Sequence, residues 1–448
     1  MTRRRCTLAV GSFELSLSYR FLLGIIVVVY AGLGVLFAVV TPRWQVPDEP
    51  AHYNYVRSLA EGRGFPVLEP GDYDHGYLGK LTSKRFPPDL SVEPLEYEDH
   101  QPPLYYLLAT PAYLLFGGAL LPLRLLTVGI GAVLLVVAFH AANAVVGGRP
   151  QLAVLAAGLI AFIPQHVAMT AGVNNDALAE LVVAATLWAS VVYVGGKHPR
   201  PWRVGVLVGI ALLTKTTAYI VVGVGATAVL IRWRRSSHSF QWALAQLAWV
   251  FVPAALISAP WFVRNVITYG WHDPLGLARH ELVVENQPRT AEWLILYGWD
   301  GLLWRLARTT FQSFWGQFGW MALPLPSQAY RVLLVLSGSL LIGFGAWVFR
   351  KHRMSGDSLS IHGPASLFAL SALLTFLAFL WYNLSFVQHQ GRYLYTALVP
   401  LSTGAALGLQ TSTKPLPSRL RPWSKLLLLG SLAAFDVYCA WKIIYPNL

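Results

Sequence analysis

The feature that most constrains this chain is a series of long apolar segments without charged residues. Residues 21–40 and 242–262 each approach the ~20 residues that an α-helix needs to cross the ~30 Å hydrocarbon layer of a membrane. Over its 448 residues the chain is 55% hydrophobic and only 12% charged, and its mean hydropathy is +0.50. We therefore predict an all-α, polytopic integral membrane protein, with one transmembrane domain over residues 1–448 rather than several soluble domains.

The charged residues indicate how the chain is threaded. Lys and Arg number 34 against 21 Asp and Glu, a formal net charge of +13. Because cytoplasmic loops of membrane proteins carry an excess of Lys and Arg, we place the N-terminus and every basic cluster in the cytoplasm, with the protein in the cell membrane. Nucleic-acid binding is excluded, because no basic face carries base-reading or stacking groups. The basic clusters lie at residues 3–5, 197–203, 232–235, 350–353 and 414–425.

Placing all these clusters on one side predicts eleven spans and an exterior C-terminus. Residues 103–117 then form an interfacial or re-entrant helix, and residues 204–231 form a hairpin that turns near 214–217. The large exterior segments are 41–122, which we expect to carry interfacial helices, and 263–328. The predicted spans are 21–40, 125–146, 152–169, 177–194, the two arms of 204–231, 240–262, 329–349, 365–382, 393–409 and 426–445.

Two adjacent carboxylates stand out in the first exterior segment. Asp48 and Glu49 follow the first span closely and precede an amphipathic segment that begins at Pro50. Pro directly after acids is typical of a helix start, which would hold both carboxylates at a fixed height over the bilayer. Burial near apolar surface raises the pKa of a carboxyl group and favours its use as a general base. Two interpretations stay open here, a catalytic base and plain helix capping by solvated acids.

Three cations are predicted on the same side of the membrane. Lys215 lies at the turn of an apolar hairpin, and an ionisable residue inside a membrane is costly and usually functional. Arg264 and Arg392 lie where predicted spans reach the exterior. Guanidinium groups bind phosphate oxygens bidentately and Lys supplies a point charge, so we predict that these three residues hold a lipid-linked phosphate. The alternatives are a structural ion pair of Lys215 with Asp176 and snorkelling of each Arg to the interface.

No cofactor is predicted with certainty. Asp176 follows two Asn residues at an exterior helix start, where a lone Asp typically caps the helix; orienting an acceptor is the alternative. Asp48, His52 and Asp176 together offer ligands for a divalent cation, although the histidines lack the spacing of a zinc site. The chain has no Gly-rich phosphate loop, which argues against an ATP-driven pump. Its two cysteines, Cys6 and Cys439, lie at opposite ends and form no disulfide framework.

Tryptophans are concentrated in residues 293–320, within the second exterior segment. Trp and Tyr are enriched where helices meet the lipid–water interface. We favour an interfacial aromatic belt for this stretch. The alternative is a platform on which flat rings stack against a sugar or a lipid.

Six short motifs resemble one family of membrane enzymes. Their order, over almost the whole chain, is similar to that of the GT-C-type glycosyltransferases, the superfamily of protein O-mannosyltransferases and lipid A aminoarabinose transferase. The pieces Asp48-Glu-Pro-Ala-His52, Phe318-Gly-Trp320 and Gln390-Gly-Arg-Tyr393 are most similar to an uncharacterised bacterial branch of this superfamily. The motifs are Pro47-Asp-Glu-Pro-Ala-His52, His100-Gln-Pro-Pro-Leu-Tyr-Tyr106, Asn174-Asn-Asp176, Leu213-Thr-Lys215, Pro260-Trp-Phe-Val-Arg-Asn265 and Gly391-Arg-Tyr393.

The resemblance implies a polyprenyl-phosphate-linked sugar donor and an extracytoplasmic active site. It implies that Asp48 is the catalytic base with Glu49 beside it, and that the predicted cations hold the lipid phosphate. Related enzymes often carry Lys or Glu where this chain has Gln101, so a phosphate contact from the first exterior segment is not implied. The residues that the motifs imply for substrate and acceptor contacts are His52, Asp176, His100, Gln101, Tyr105 and Tyr393.

The function favoured by these observations is transfer of a sugar from a polyprenyl phosphate to an extracytoplasmic glycan, lipid or protein. A single attack on the anomeric carbon inverts its configuration. The first alternative is a transporter or flippase of lipid-linked glycan, which typically has paired half-repeats and broken helices at mid-membrane; the sequence shows neither. The second alternative is a non-catalytic relative that binds a glycolipid.

Overall fold

The structure is a computed structural model that describes residues 5–10, 13–196, 199–355 and 363–448. Its helices confirm the predicted all-α, multi-pass membrane class. Arg3, Arg4 and Lys197, on which part of the threading depends, lie outside the described residues. The side of the membrane that each loop faces therefore stays a prediction.

Helices account for nearly all the described elements. Two short antiparallel strand pairs accompany them, β1 (Arg5–Val10) with β2 (Phe13–Ser18) and β3 (Gln317–Phe318) with β4 (Leu323–Pro324). In chain order the helices are α1 Tyr19–Val40, α2 Glu49–Ala60, α3 His75–Ser83, α4 Leu104–Leu115, α5 Leu120–Val145, α6 Pro150–Ala161, α7 Pro164–Thr170, α8 Asp176–Gly195, α9 Pro201–Leu212, α10 Ile220–Arg234, α11 Phe240–Tyr269, α12 Leu277–Val283, α13 Thr290–Trp315, α14 Ser327–Ser355, α15 Ala365–Ser385, α16 Leu398–Ser412, α17 Leu420–Tyr438 and α18 Tyr445–Asn447. The 3₁₀ turns Thr216–Tyr219 and Gly391–Ala397 precede α10 and α16, and the π-helical segment Cys439–Ile444 joins α17 to α18.

Eight of the described helical segments are long and apolar enough to cross a membrane. A ninth candidate is the pair α6 and α7, which is bent by 70° at the break between its two helices. The eight segments are α1, α5, α8, α10 with its 3₁₀ turn, α11, α14, α15 and the run Leu420–Asn447.

The predicted count of eleven spans is not confirmed, because two predicted spans contain shorter helices. Helix α9 has 12 residues and α16 has 15. At 1.5 Å per residue these helices reach about 18 Å and about 22 Å, less than the ~30 Å hydrocarbon layer. The predicted break near residues 214–217 is present, since α9 ends at Leu212 and the next turn begins at Thr216. Helix α4 also has only 12 residues, a length compatible with its predicted interfacial placement.

Helix α8 lies at the centre of the bundle. Its most apolar window is 72% buried, against 17% for α14 and 22% for α11. Small residues let other helices approach closely, as is common in membrane bundles. A Cβ at Gly205 of α9 would lie 2.2 Å from the carbonyl oxygen of Val250 in α11, and one at Gly408 of α16 would lie 2.1 Å from that of Leu340 in α14. Only glycine permits these backbone contacts.

A second hydrophobic cluster fixes the first exterior segment above the bundle. Leu68, Leu81 and Leu95 are fully or almost fully buried, and they pack in one cluster with Val283 of α12 and Phe386 at the end of α15. Burial of several leucines against distant segments stabilises the loop as an ordered cap. This packing brings residues 41–103 over the ends of α8, α9 and α15, where the predicted site residues lie.

Candidate active site

Asp48 lies at the start of α2 and points its carboxylate toward other segments. Its φ of 65° is left-handed, a conformation that Asp tolerates better than most residues. The side chain makes no capping hydrogen bond to α2. Instead, Oδ1 accepts from the Tyr97 hydroxyl at 2.9 Å and Oδ2 from Nη2 of Arg392 at 2.5 Å. Helix capping by a solvated acid is therefore not what Asp48 does in this structure.

Glu49 is completely buried and its carboxylate is fully engaged. Nε and Nη2 of Arg124 in α5 donate to Oε1 and Oε2 at 2.7 and 2.6 Å. The backbone N–H groups of Trp44 and Val173 donate to the same oxygens. A buried bidentate Arg–carboxylate pair with this many donors is rigid. Glu49 thus joins the first exterior segment to the bundle, directly beside Asp48.

Lys215 and Asp176 form the second ion pair of the site. Lys215 is extended between α9 and its following 3₁₀ turn, and its Nζ lies 2.6 Å from Oδ1 of Asp176, the first residue of α8. The Lys215 side chain is 10% exposed and that of Asp176 is 23% exposed. The pairing that the sequence left as an alternative is present, and the Asp176 side chain stays partly exposed beside the ammonium.

These ion pairs belong to one electrostatic cluster. Asp48 interacts through space with Arg392, His52 and Lys215, and Asp176 interacts with Lys215, Arg392 and His52. Burial raises the pKa of Asp48, but the guanidinium of Arg392, helped by Lys215, outweighs burial and holds the pKa below its ordinary value. Burial lowers the pKa of His52. An ionised Asp48 beside a neutral imidazole is therefore the favoured state near neutrality.

Glu98 adds a third carboxylate to this cluster. Its charge interacts with His52, Lys215, Asp48 and Asp176, and burial raises its pKa. Oε2 of Glu98 is buried without a hydrogen-bond partner. Since buried polar atoms are nearly always satisfied, this oxygen is a candidate contact for a bound substrate.

Arg392 is positioned by close packing of the 3₁₀ turn that carries it. A Cβ on the preceding Gly391 would lie 2.3 Å from the carbonyl oxygen of Thr310 in α13. The Gly391 N–H donates to the Ser313 hydroxyl at 2.8 Å. Nε of Arg392 is buried and has no hydrogen-bond partner. The guanidinium therefore retains a free donor beside the carboxylate that it already binds.

Arg264 lies outside the cluster. Its guanidinium donates to the backbone carbonyls of Phe65 and Pro66 and stacks over the rings of Trp261 and Tyr269. Its donors are thus used to hold the first exterior segment against α11. The structure brings two of the three predicted phosphate-binding cations together and leaves the third one apart.

The predicted substrate contacts occupy two places. Nδ1 of His52 lies 2.9 Å from the Tyr106 hydroxyl, and Tyr393 follows Arg392 directly, so both border the charged cluster. Tyr105 instead turns into the bundle, where its hydroxyl bonds to Thr127 at 2.8 Å. His100 and Gln101 contact each other and are buried. His100 also packs on His280 of α12, with ring centroids 4.8 Å apart.

The divalent-cation set considered from the sequence is not assembled as a ligand group. Within the described ranges, Asp48, His52 and Asp176 do not bring three ligand atoms within 4.8 Å of one another. The Lys215 ammonium and the Arg392 guanidinium occupy the positions beside the two carboxylates. The residues of this cluster therefore suit an anion better than a cation.

The tryptophan-rich second exterior segment makes one direct link to the site region. Nε1 of Trp320 donates to the carbonyl of Trp44, at 2.9 Å, close to the start of α2. Trp299 and Trp304 are each 65% exposed on α13. Both the belt and the platform interpretations are compatible with this placement.

Sequence reasoning missed three residues of the site. Arg124 could have been identified from the sequence, because it is a lone cation near the start of an apolar run and such a residue requires a partner. Tyr97 and Glu98 could not have been identified in this way, because they lie in an acid-rich loop whose fold depends on packing against other segments. Their roles became visible only through their contacts with Asp48 and His52.

Solved structures that are similar to this chain include two of ArnT. The crystal structure of ArnT from Cupriavidus metallidurans bound to undecaprenyl phosphate is similar with a TM-score of 0.53 and 15% identity, covering 93% of this chain and 64% of that chain. The apo structure of the same protein gives a TM-score of 0.53 and 16% identity over the same shares. An Archaeoglobus fulgidus oligosaccharyltransferase structure gives 0.49 and 15% identity, with 93% and 52% covered.

The fold is similar to that of the ArnT structures, as the resemblance of the sequence motifs had indicated. Residues 100–261 match the family described as dolichyl-phosphate-mannose-protein mannosyltransferase. No curated protein matches the chain. The chain spans 64% of the length of the ArnT structures.

Proposed function

We propose that the protein transfers a sugar from a polyprenyl-phosphate-linked donor to an acceptor on the extracytoplasmic side of the membrane. The observation that carries this proposal is the convergence of Asp48, Asp176, Lys215 and Arg392 from four distant segments into one cluster. Two carboxylates and two cations at one site match the needs of the reaction, a base for the acceptor and a clamp for a phosphate.

Asp48 takes the proton of the acceptor hydroxyl in this proposal. The acceptor oxygen forms a bond to the anomeric carbon while the bond from that carbon to the phosphate oxygen breaks, and the configuration inverts. The leaving group departs as the polyprenyl phosphate anion and needs no proton. One carboxylate base is therefore enough, and its ionised state near neutrality suits the role.

Arg392 and Lys215 hold the phosphate. In the donor complex Arg392 shifts from Asp48 toward the phosphate, for which its unpartnered Nε is available. This exchange frees Asp48 to act as a base only when the donor is present. A charge clamp of this kind stabilises the negative charge that develops on the leaving phosphate.

In this proposal Glu49 positions the first exterior segment and does not transfer a proton. Its oxygens are taken up by Arg124 and two backbone N–H groups, which leaves no place for an acceptor hydroxyl. Arg264 is likewise left out of the proposed clamp, since backbone carbonyls occupy it. No step of the proposal requires a metal ion.

The decisive experiment supplies membranes of the source organism with polyprenyl phosphates that carry different radiolabelled sugars. Wild-type protein should move label from one of them into a product that no longer extracts as lipid phosphate. Asp48→Asn should lose this transfer, and Asp89→Asn, in an exposed acid of the same exterior segment, should retain it. Transfer at the wild-type rate by Asp48→Asn would refute the base assignment. Donor binding without transfer by the wild type would favour a transporter or a glycolipid-binding relative.

A further inference from the structure

Three other carboxylates of the first exterior segment meet away from the charged cluster. Asp72, Glu96 and Asp99 each place a carboxylate oxygen within 4.8 Å of those of the other two. The backbone holds them there, since the Glu96 N–H donates to the Asp72 carbonyl at 3.2 Å and the Asp99 N–H to the Glu96 carbonyl at 3.1 Å. Like charges at this distance repel each other unless something neutralises them.

No basic side chain of the described residues forms a direct ion pair with this group. None of the ion pairs found within 4.0 Å among the described residues includes Asp72, Glu96 or Asp99. The neighbouring arginines are committed elsewhere: Arg57 pairs with Glu61 and Glu93, and Arg279 donates to the Leu68 carbonyl. Arg63 and Arg264 act on Glu96 and Asp99 only from a longer distance. None of the three carboxylates therefore has an ion-pair partner within the part of the chain that the structure describes.

A second observation comes from Asp99. This residue is only 2% exposed, and its Oδ1 is buried without a hydrogen-bond partner. A buried ionised carboxylate with an unsatisfied oxygen is strongly unfavourable unless it is paired or coordinates a metal.

We propose that Asp72, Glu96 and Asp99 form a calcium site in the first exterior segment. An all-oxygen set of carboxylates suits a hard cation, and Ca²⁺ accepts six to eight oxygens with flexible geometry. Asp72 and Glu96 are half-buried, so water completes the coordination from the open side. Zinc sites in proteins are built mainly from His nitrogen and Cys sulfur ligands, and the group contains neither.

The cation joins two parts of the exterior segment, the turn at Asp72 and the stretch from Glu96 to Asp99. Tyr97, which donates to Asp48, lies within that stretch. Calcium therefore orders the residues that contact Asp48; the value of this ordering for catalysis rests on the proposed function, whereas binding of the cation does not.

The test measures thermal unfolding of the purified full-length protein after removal of divalent ions with EDTA. Adding CaCl₂ should raise the Tm of the wild type by about 2–4 °C at saturation, and KCl at the same ionic strength should not. Asp99→Asn in EDTA should unfold at the wild-type Tm or above, because it removes one of three repelling charges, yet it should gain nothing from CaCl₂. Asp89→Asn should respond as the wild type does.

Two results would overturn the calcium site. One is an unchanged wild-type Tm in CaCl₂ at concentrations up to about 10 mM, above the range of extracellular calcium modules. The other is an equal rise in Tm for Asp99→Asn and the wild type. Because the readout is unfolding, a failure here is separable from a failure of sugar transfer.

Discussion

Arg392 and Asp48 are 344 residues apart in the chain and form a direct ion pair at 2.5 Å. The Arg392 side chain is 7% exposed and that of Asp48 is 19% exposed. The pair closes the first exterior segment onto the 3₁₀ turn that precedes α16. Under the proposed function Asp48 is the base and Arg392 a phosphate ligand, so binding of a phosphate by Arg392 would change the state of Asp48.

Loss of either clamp cation should weaken binding of the donor. We expect Arg392→Ala and Lys215→Ala each to weaken the affinity for polyprenyl phosphate about tenfold or more, the size of one lost charge-assisted hydrogen bond. Binding is measured with radiolabelled polyprenyl phosphate and purified protein in nanodiscs. Arg264→Ala is the matched control, since Arg264 also lies at the end of a long helix but binds backbone carbonyls. Equal losses in all three variants would contradict the proposed clamp.

Glu49 should matter for stability more than for chemistry. Glu49→Gln leaves the Arg124 guanidinium buried without its counter-ion, and breaking a buried pair in this way costs about 3–5 kcal/mol. We expect a marked fall in Tm, with turnover per folded molecule largely retained. Glu61→Gln, in a half-exposed pair with Arg57, should change the free energy of unfolding by no more than about 1 kcal/mol. Complete loss of turnover in folded Glu49→Gln would instead support a proton-transfer role.

The dependence of activity on pH should differ between kcat/KM and kcat. Arg392 lowers the pKa of Asp48 in the free protein, so kcat/KM should fall only at pH values below the ordinary Asp pKa of about 3.9. When the donor phosphate engages Arg392, Asp48 loses that stabilisation and its pKa rises. The acid limb of kcat should therefore lie at higher pH than that of kcat/KM. Coincident limbs would show that Arg392 does not exchange partners.

The predicted orientation can be tested with single cysteines in a background where Cys6 and Cys439 are replaced by alanine. Asp89→Cys, in the first exterior segment, should react with an impermeant thiol reagent applied to intact cells. Ser237→Cys, between α10 and α11, should react only after the cells are opened. Both residues are exposed, so the difference reports the side of the membrane. The reverse labelling pattern would show that the predicted orientation in the membrane is wrong.

Local sequence was enough for the class of fold and for part of the site. Apolar runs define most of the candidate spans, and the cost of a lone ammonium singled out Lys215. The predicted count of eleven spans is not confirmed, because α9 has only 12 residues and because the predicted span 393–409 begins in the 3₁₀ turn Gly391–Ala397, which leaves 15 residues to α16. Hydropathy depends only on the amino-acid composition along the chain. A helix break depends on backbone geometry and on the groups that hydrogen-bond to the backbone atoms left free at the break.

What the sequence determined by itself is a membrane-embedded helical bundle with acids and cations in a recognisable order. Only the tertiary structure decided which charge meets which. Glu49 is bound by Arg124 and is not free beside Asp48, Arg264 holds a loop, and Arg392 reaches the first exterior segment. The physical reason is that the partner of a buried charge is set by the packing of helices far apart in the chain, and no local pattern records that packing.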